Sequence, residues 1–349
     1  MESPVDKKVI FDTFKRPLRD LRISVTDRCN FRCTYCMPAE IFGERYQFLP
    51  KTELLSFEEI NRVARIIVGM GAEKIRLTGG EPLVRSDLEK LVKMLSDIPG
   101  VSDLTMTTNA YLLPQKAQAL KEAGLKRITV SLDTLDDQIF RKMNGRSFGI
   151  DKVLEGIDAA REAGFEPIKV NSVVQKNVND HTLLELADYC RKNNIILRFI
   201  EYMDVGNRNG WVMDQVVPSS EIISLLNSEF NLEPLKPNYS SEVARRFKYK
   251  DGSGEIGVIS SVTDPFCGDC TRIRLSPEGT LYTCLFGSEG TDLRKPMRDG
   301  GDDSLIKSII LLLTITPSVP SSPITPFHKV LSKSQQTHLI FLAGKVSSN

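Results

Sequence analysis

Between Leu21 and Glu201 the chain alternates short β-branched runs with longer stretches whose apolar residues recur at helical spacing. LRISV (21–25), KIRLT (74–78), LTMTT (104–108), RITVSL (127–132), PIKVNSVV (167–174) and ILRFIEY (196–202) carry the strand pattern. Helices are predicted between them. Ser56 with Glu59, and Ser86 with Glu89, give S-x-x-E, in which hydroxyl and carboxylate satisfy free helix amides reciprocally. Gly71, Gly124 and Gly164 close helices just ahead of the next strand. Strand, helix, strand repeated this way predicts parallel strands joined by right-handed crossovers. Six such units over residues 1–202 make an α/β fold, an incomplete (β/α)6 barrel, with an open doubly wound sheet as the alternative.

The alternation stops after Glu201. Residues 203–300 hold a Gly/Asn stretch (GNRNG, 206–210), one helical piece at 219–230, a charged run at 245–250 and a hairpin-like, cysteine-bearing region at 262–286. Beyond about Lys307 the prolines at Pro317, Pro320, Pro323 and Pro326, with abundant Ser and Thr, predict that 301–349 is an extended or disordered tail.

Charge narrows the partners. With 46 Lys+Arg against 45 Asp+Glu the formal net charge is +1, which gives no general reason for nucleic-acid or membrane binding. The longest strongly apolar run, Ile309 to Ile315, is far shorter than the roughly 20 residues that span a bilayer. No apolar leader opens the sequence, so the expected location is the cytoplasm. Of three histidines only His181 lies outside the tail. That argues against a Ser-His-Asp or Cys-His hydrolase and against a multi-histidine metal centre. GRSFG (145–149) matches a hydrolase elbow but follows a helical stretch rather than a strand, so it is set aside, and NYS (238–240) is irrelevant without secretion.

The cysteines carry the chemistry. Cys29, Cys33 and Cys36 form C-x3-C-x2-C directly after a strand, with aromatic Tyr35 placed to shield the site. Three thiolates in one loop suit an iron–sulfur cluster with one iron left open, and structural zinc, lacking a fourth ligand nearby, is the plainer alternative. Cys267, Cys270 and Cys284 form a second triplet, for which a zinc knuckle completed by a remote residue stays open. Cys190, on a predicted helix among Leu186, Ala187 and Tyr189, reads as a core residue.

VTDRCNFRCTYCMP (25–38), GGEP (79–82), VSLDTL, RFIEYMDVGN and FCGDCTRIRL occur in order between about residues 11 and 300. This set resembles the GTP 3′,8-cyclase (molybdenum cofactor biosynthesis protein A) family of radical S-adenosylmethionine (SAM) enzymes. The resemblance implies two [4Fe–4S] clusters, one on Cys29, Cys33 and Cys36 that binds SAM, and one on Cys267, Cys270 and Cys284 that binds the guanine of GTP. It also implies a SAM pocket of Tyr35, Gly80, Ser131 and Met203. GTP ligands by the same match are Arg22, Arg76, Thr107 and Lys169, with Arg198 as a weaker candidate, and Arg272 and Arg274 join them as two guanidiniums beside a cluster, suited to phosphate oxygens. The implied reaction is abstraction of the ribose 3′ hydrogen by an adenosyl radical and closure of C3′ on C8, with no side-chain general base. Implied partners are a reductant such as flavodoxin or ferredoxin, a downstream cyclic pyranopterin monophosphate synthase, and a second copy in a homodimer. Independently of the family, Gly79 and Gly80 let backbone approach a ligand closely, with an ordinary βα turn as the plainer reading of the glycines alone, and Cys270, Arg272 and Arg274 share a face if that segment is extended.

Two departures stand out. Ala110 replaces the glycine of the family's TTNG, at a cost of about 1 kcal/mol if φ is positive there. The family ends in a charged helix and Gly-Gly, whereas this chain ends LIFLAGKVSSN. The expectation drawn from that is a shifted reading frame near 309–313 and weak GTP cyclisation. Competing readings are a radical SAM enzyme acting on a peptide, and a non-catalytic zinc or iron–sulfur protein.

Overall fold

The computed structural model describes residues 9–203, 210–239, 241–287 and 289–315. Most of GNRNG and the tail beyond Ile315, with the expectations placed on them, lie outside the described residues. Among those described, 12 strands form one sheet. In chain order they are β1 (Asp20–Ser24), β2 (Lys74–Thr78), β3 (Asp103–Thr108), β4 (Arg127–Ser131), β5 (Lys169–Val174), β6 (Ile196–Glu201), β7 (Leu232–Pro234), β8 (Arg245–Tyr249), β9 (Glu255–Ile259), β10 (Arg272–Leu275), β11 (Thr280–Tyr282) and β12 (Thr291–Asp292). Their spatial order is β12-β11-β10-β1-β2-β3-β4-β5-β6-β9-β8-β7. All pairings from β10 through β1–β6 to β9 are parallel, and the outer strands are antiparallel. The six-strand repeat is therefore present and is lengthened at both edges by strands from the later part of the chain.

Helices α1 (Phe57–Gly69), α2 (Leu88–Ser96), α3 (Ala117–Glu122), α4 (Asp137–Asn144), α5 (Asp151–Glu162), α6 (Leu183–Lys192), α7 (Ser219–Phe230), α8 (Arg294–Arg298) and α9 (Asp303–Ile315) complete the fold. Ser56 and Glu59 form the expected capping box on α1. Ser86 and Glu89 do not, because α2 starts from Asp87 in the left-handed region, after a short turn at Pro82–Val84. A second correction concerns the segment from 301 onward. It is helical to Ile315, with Ile306, Ile310 and Thr314 buried on one side, and it is tied to α1 by Arg62, which binds Asp303 Oδ1 (2.6 Å) and Gly301 O (2.6 Å). Packing of an apolar stripe outweighs the weak local helical preference of its β-branched residues.

Each parallel strand has two unlike faces, since side chains alternate. Leu21, Ile23, Ile75, Leu77, Leu104, Met106, Ile128 and Val130 are buried in the apolar core. Their alternates are Asp20, Arg22, Lys74, Arg76, Asp103, Thr105, Thr107, Arg127, Thr129 and Ser131, all on the other face. Asp20 of β1 and Lys169 of β5 line one cavity, although four strand spacings in a flat sheet would set them roughly 19 Å apart. The sheet is curved, and its concave face is a polar lumen.

Candidate active site

The first cysteine triplet lies in the loop after β1, at the C-terminal end of the strands. Cys29, Cys33 and Cys36 line a cavity with Thr78, Gly79, Gly80, Thr107, Asn109 and Ser131. Of the expected SAM residues, Gly80 and Ser131 are here, while Tyr35 and Met203 are buried but do not line it. The Tyr35 hydroxyl donates to Asp133 Oδ2 (2.7 Å) and pins the loop to the end of β4. Asp133 also accepts from Val173 N–H (3.0 Å).

Both glycines, which line this cavity, also pack against the cysteine loop. A Cβ on Gly80 would sit 2.5 Å from the Arg28 carbonyl carbon and 3.0 Å from Asp27 O, and one on Gly79, at φ +151°, 2.7 Å from Thr26 O. The turn presses on the start of the cysteine loop, where Gly80 N–H donates to Thr26 O and Glu81 N–H to Arg28 O, both 2.8 Å. Glu81 then reaches β3, accepting from the Thr108 hydroxyl (2.6 Å) and Asn109 N–H (2.7 Å). Asn109 in turn donates to Asn30 Oδ1 (2.8 Å) beside Cys29. Gly145 closes α4 at φ +61° and lies under Arg32, whose N–H donates to Asn144 O (2.8 Å). Ala110 does take a positive φ, +62°.

Burial, reinforced by Glu81 and the other two thiols, pushes the Cys29 thiol well up. Loading any metal on such thiols must release protons. Among the described residues no three His, Cys, Asp or Glu side chains converge on one metal ion. The three thiols instead border one cavity, which suits a multinuclear cluster in which each thiolate takes its own iron.

The second triplet is at the opposite end. Cys270 stands two residues before Arg272, the first residue of β10, which pairs in register with Asp20 at the start of β1. Arg272 Nε donates to Cys270 Sγ (3.2 Å), and Arg16 Nη1 to Cys267 O (2.8 Å). Burial opposes ionisation of Cys270, but Arg272 and Arg274 outweigh it and hold its thiol below the usual value. Cys267 is shifted up by burial and by the charges of Cys284 and Cys270. The donors fit a second thiolate-bound cluster.

Between the triplets runs the lumen, roughly 13 Å along β1 from Asp20 to Ser24. By strand register Arg22, Arg76, Arg198 and Arg274, all buried, and half-buried Arg272 lie on the face toward it, and Lys74, Arg127 and Lys169 line the cavity at its lower end. Arg76 Nη1 donates to Thr107 Oγ1 (2.9 Å), linking the lumen to the first cavity. Arg22 Nε and Nη2 and Arg76 Nε are buried with no hydrogen-bond partner. Burial and mutual repulsion lower Arg22 and Arg274 to about 9, Arg76 and Arg198 to about 10, and Lys74 and Lys169 to about 7. Gly257 of β9 leaves room for Arg198, whose Cγ would lie 3.1 Å from an added Cβ. A row of buried cations that outnumbers the carboxylates beside it, Asp20 and Asp103, suits a polyanion.

This fold and loop define a class: residues 23–190 match the radical SAM superfamily, and residues 195–316 match molybdenum cofactor synthesis C. The chain is 15% identical to the crystal structure of Streptococcus suis SuiB bound to S-adenosylmethionine, with a TM-score of 0.57 over 84% of this chain and 69% of that one, a likeness of fold. It is 56% identical to GTP 3′,8-cyclase of Acidothermus cellulolyticus over 86% of this chain and 83% of the relative. With that of Staphylococcus carnosus it shares 46% over 97% and 99% of the two chains. The chain belongs to the GTP 3′,8-cyclase family of radical SAM enzymes, which use SAM and two [4Fe–4S] clusters.

The residues missed in the sequence are Glu81, Asn109, Asp133 and Glu201, which position the site. Glu201 accepts from Ser219 N–H and hydroxyl (both 2.7 Å), Val262 N–H (2.8 Å) and Thr263 N–H (2.8 Å), joining β6, α7 and the approach to Cys267. Their one signal was position, a carboxylate or amide at or just past the C-terminal end of a parallel strand, where α/β sites gather.

Proposed function

We propose that this chain converts GTP to (8S)-3′,8-cyclo-7,8-dihydroguanosine 5′-triphosphate in molybdenum cofactor biosynthesis. The observation that carries this reading is the cation-lined lumen joining two cysteine triplets. Cys29, Cys33 and Cys36 hold one cluster, and Cys267, Cys270 and Cys284 the other. Bound at the first, SAM supplies hydrogen-abstraction chemistry when reduced. Gly80 and Ser131 flank it, and Tyr35 and Met203 support the pocket wall. Arg22, Arg76, Lys169 and Arg274 neutralise the triphosphate, Thr107 orients the ribose end, and Arg272 serves both Cys270 and the nucleotide. Because C3′ and C8 belong to one substrate, the side chains contribute effective molarity by holding it bent and away from water.

A low-potential donor such as flavodoxin or ferredoxin supplies the electron, a cyclic pyranopterin monophosphate synthase consumes the product, and the enzyme works as a cytoplasmic homodimer. The test is anaerobic. The protein is reconstituted with iron and sulfide, reduced with dithionite, given SAM, and 5′-deoxyadenosine is quantified with and without GTP. GTP-stimulated release is the expected result. Two loaded clusters with no response to GTP would reject the substrate.

A further inference from the structure

We infer that the Asp20 carboxylate reads the guanine base, accepting an N–H of its exocyclic 2-amino group, and so selects GTP over purine nucleotides that lack this donor. The inference rests on the GTP reading above and adds a specificity residue to it.

Asp20 opens β1 between Arg272 of β10 and Lys74 of β2. It is 1% exposed, and both carboxylate oxygens are enclosed with no hydrogen-bond partner. Arg22 Nη2 stands 4.0 Å away, too far for a hydrogen bond. Burial raises its pKa, but Arg22, Lys74, Arg76 and Arg272 together outweigh that, so the group stays ionised. A buried carboxylate offers acceptor sites only, and leaving them empty is costly.

Asp20 lines the lower cavity with three other carboxylates, each already engaged. Asp103 binds Arg127 and Lys74, Glu73 binds Arg19 (2.8 Å), and Glu242 accepts from Asn238 N–H (2.6 Å). Of these four carboxylates, Asp20 is the one whose oxygens are both buried with no hydrogen-bond partner. A triphosphate carries acceptors and offers it nothing. The donors of GTP are its ribose hydroxyls and its base N–H groups. Asp20 N–H donates to Thr271 O (3.1 Å), next to Cys270, so the carboxylate stands beside the second triplet, where the base lies in this reading. The ribose, whose C3′ must face SAM, points toward the first triplet.

The alternative is that Asp20 only neutralises the surrounding cations. Inosine 5′-triphosphate, which is GTP without the 2-amino group, separates the two. Dissociation constants of GTP, inosine triphosphate and 2′-deoxy-GTP are measured on the anaerobic two-cluster protein by equilibrium dialysis, for wild type, Asp20→Asn and Asp20→Ala. Wild type is expected to prefer GTP over inosine triphosphate by roughly 10- to 100-fold, the worth of one hydrogen bond to a charged group. In Asp20→Ala the ratio falls toward one, while inosine triphosphate binds as well as before or better, since a negative charge has left a cationic site. An equal affinity of wild type for both nucleotides overturns the inference, as does a ratio unchanged in the variants. Loss of 2′-deoxy discrimination in place of base discrimination also overturns it. If wild type binds none of the three, the GTP reading itself fails.

Discussion

Gly80→Ala tests whether the cysteine loop is held by backbone contact. The added methyl would lie 2.5 Å from the Arg28 carbonyl carbon, about 1 Å inside an ordinary contact, and the obstacle is main chain that cannot swing aside. The turn and the loop must part. Two hydrogen bonds cross that seam, Gly80 N–H to Thr26 O and Glu81 N–H to Arg28 O. At roughly 1 kcal/mol net each, with some strain added, the loss is about 2–3 kcal/mol. In a protein of this size that lowers Tm by roughly 3–4 °C. The effect on the site is larger than on the fold, because Arg28 is followed directly by Cys29, and Glu81 also orients Asn109. Anaerobic reconstitution followed by iron analysis and SAM binding is the assay. About half the wild-type iron is expected, with the second cluster intact and SAM binding abolished. Full iron and unchanged SAM affinity would refute the claim that these glycines exist to seat the loop.

Three further outcomes follow from the same geometry. GTP binding should take up protons near neutral pH: Lys74 and Lys169 stand at about 7 without ligand, and a bound polyanion raises them, so affinity is full below about 7 and falls as pH rises through the raised values. Calorimetry in buffers of different ionisation heat reads this directly, and no proton uptake would contradict it. Arg272→Leu removes both the hydrogen bond to Cys270 and the charge that holds its thiol down, so the second cluster should become oxygen- and chelator-labile while the first persists, as followed by iron release. Glu201→Gln sets an amide against donors from Ser219, Val262 and Thr263; a loss of about 2–4 kcal/mol in thermal unfolding is expected, and a neutral result would show that these hydrogen bonds are replaceable.

The six repeat strands were legible because each is a local pattern, and α7 was legible from its period, falling on 219–230 as expected. What failed was non-local. That β10 pairs with β1, and β9 with β6, depends on which chain edge a short strand meets. The Ser86–Glu89 box failed because the three-residue turn at Pro82–Val84 leaves Asp87, in the left-handed region, as the residue before α2. Gly145 was dismissed with a hydrolase motif, yet a glycine directly after a predicted helix already pointed to a left-handed cap. The cysteines were visible as spacing alone. The positioning carboxylates Glu81, Asp133 and Glu201 were not, since their meaning lies in partners drawn from other strands and loops.

Strands of a parallel sheet are usually apolar on both faces, and here one face carries a row of arginines and lysines. The ligand-free fold tolerates them because the opposite face is an uninterrupted apolar layer under the helices. Burial first, and mutual repulsion after it, lower Arg22, Arg76 and Arg274, and a bound polyanion would offset both. Ligand should therefore stabilise the fold by mass action, by about 2.7 kcal/mol at one hundred times the dissociation constant. Inorganic tripolyphosphate, which has no base, should raise Tm on its own, by less than GTP, and the gain should shrink with added salt. Thermal unfolding of the anaerobic two-cluster protein across both ligands decides this. A Tm raised by GTP but untouched by tripolyphosphate would mean that the base, and not the cation row, holds the nucleotide.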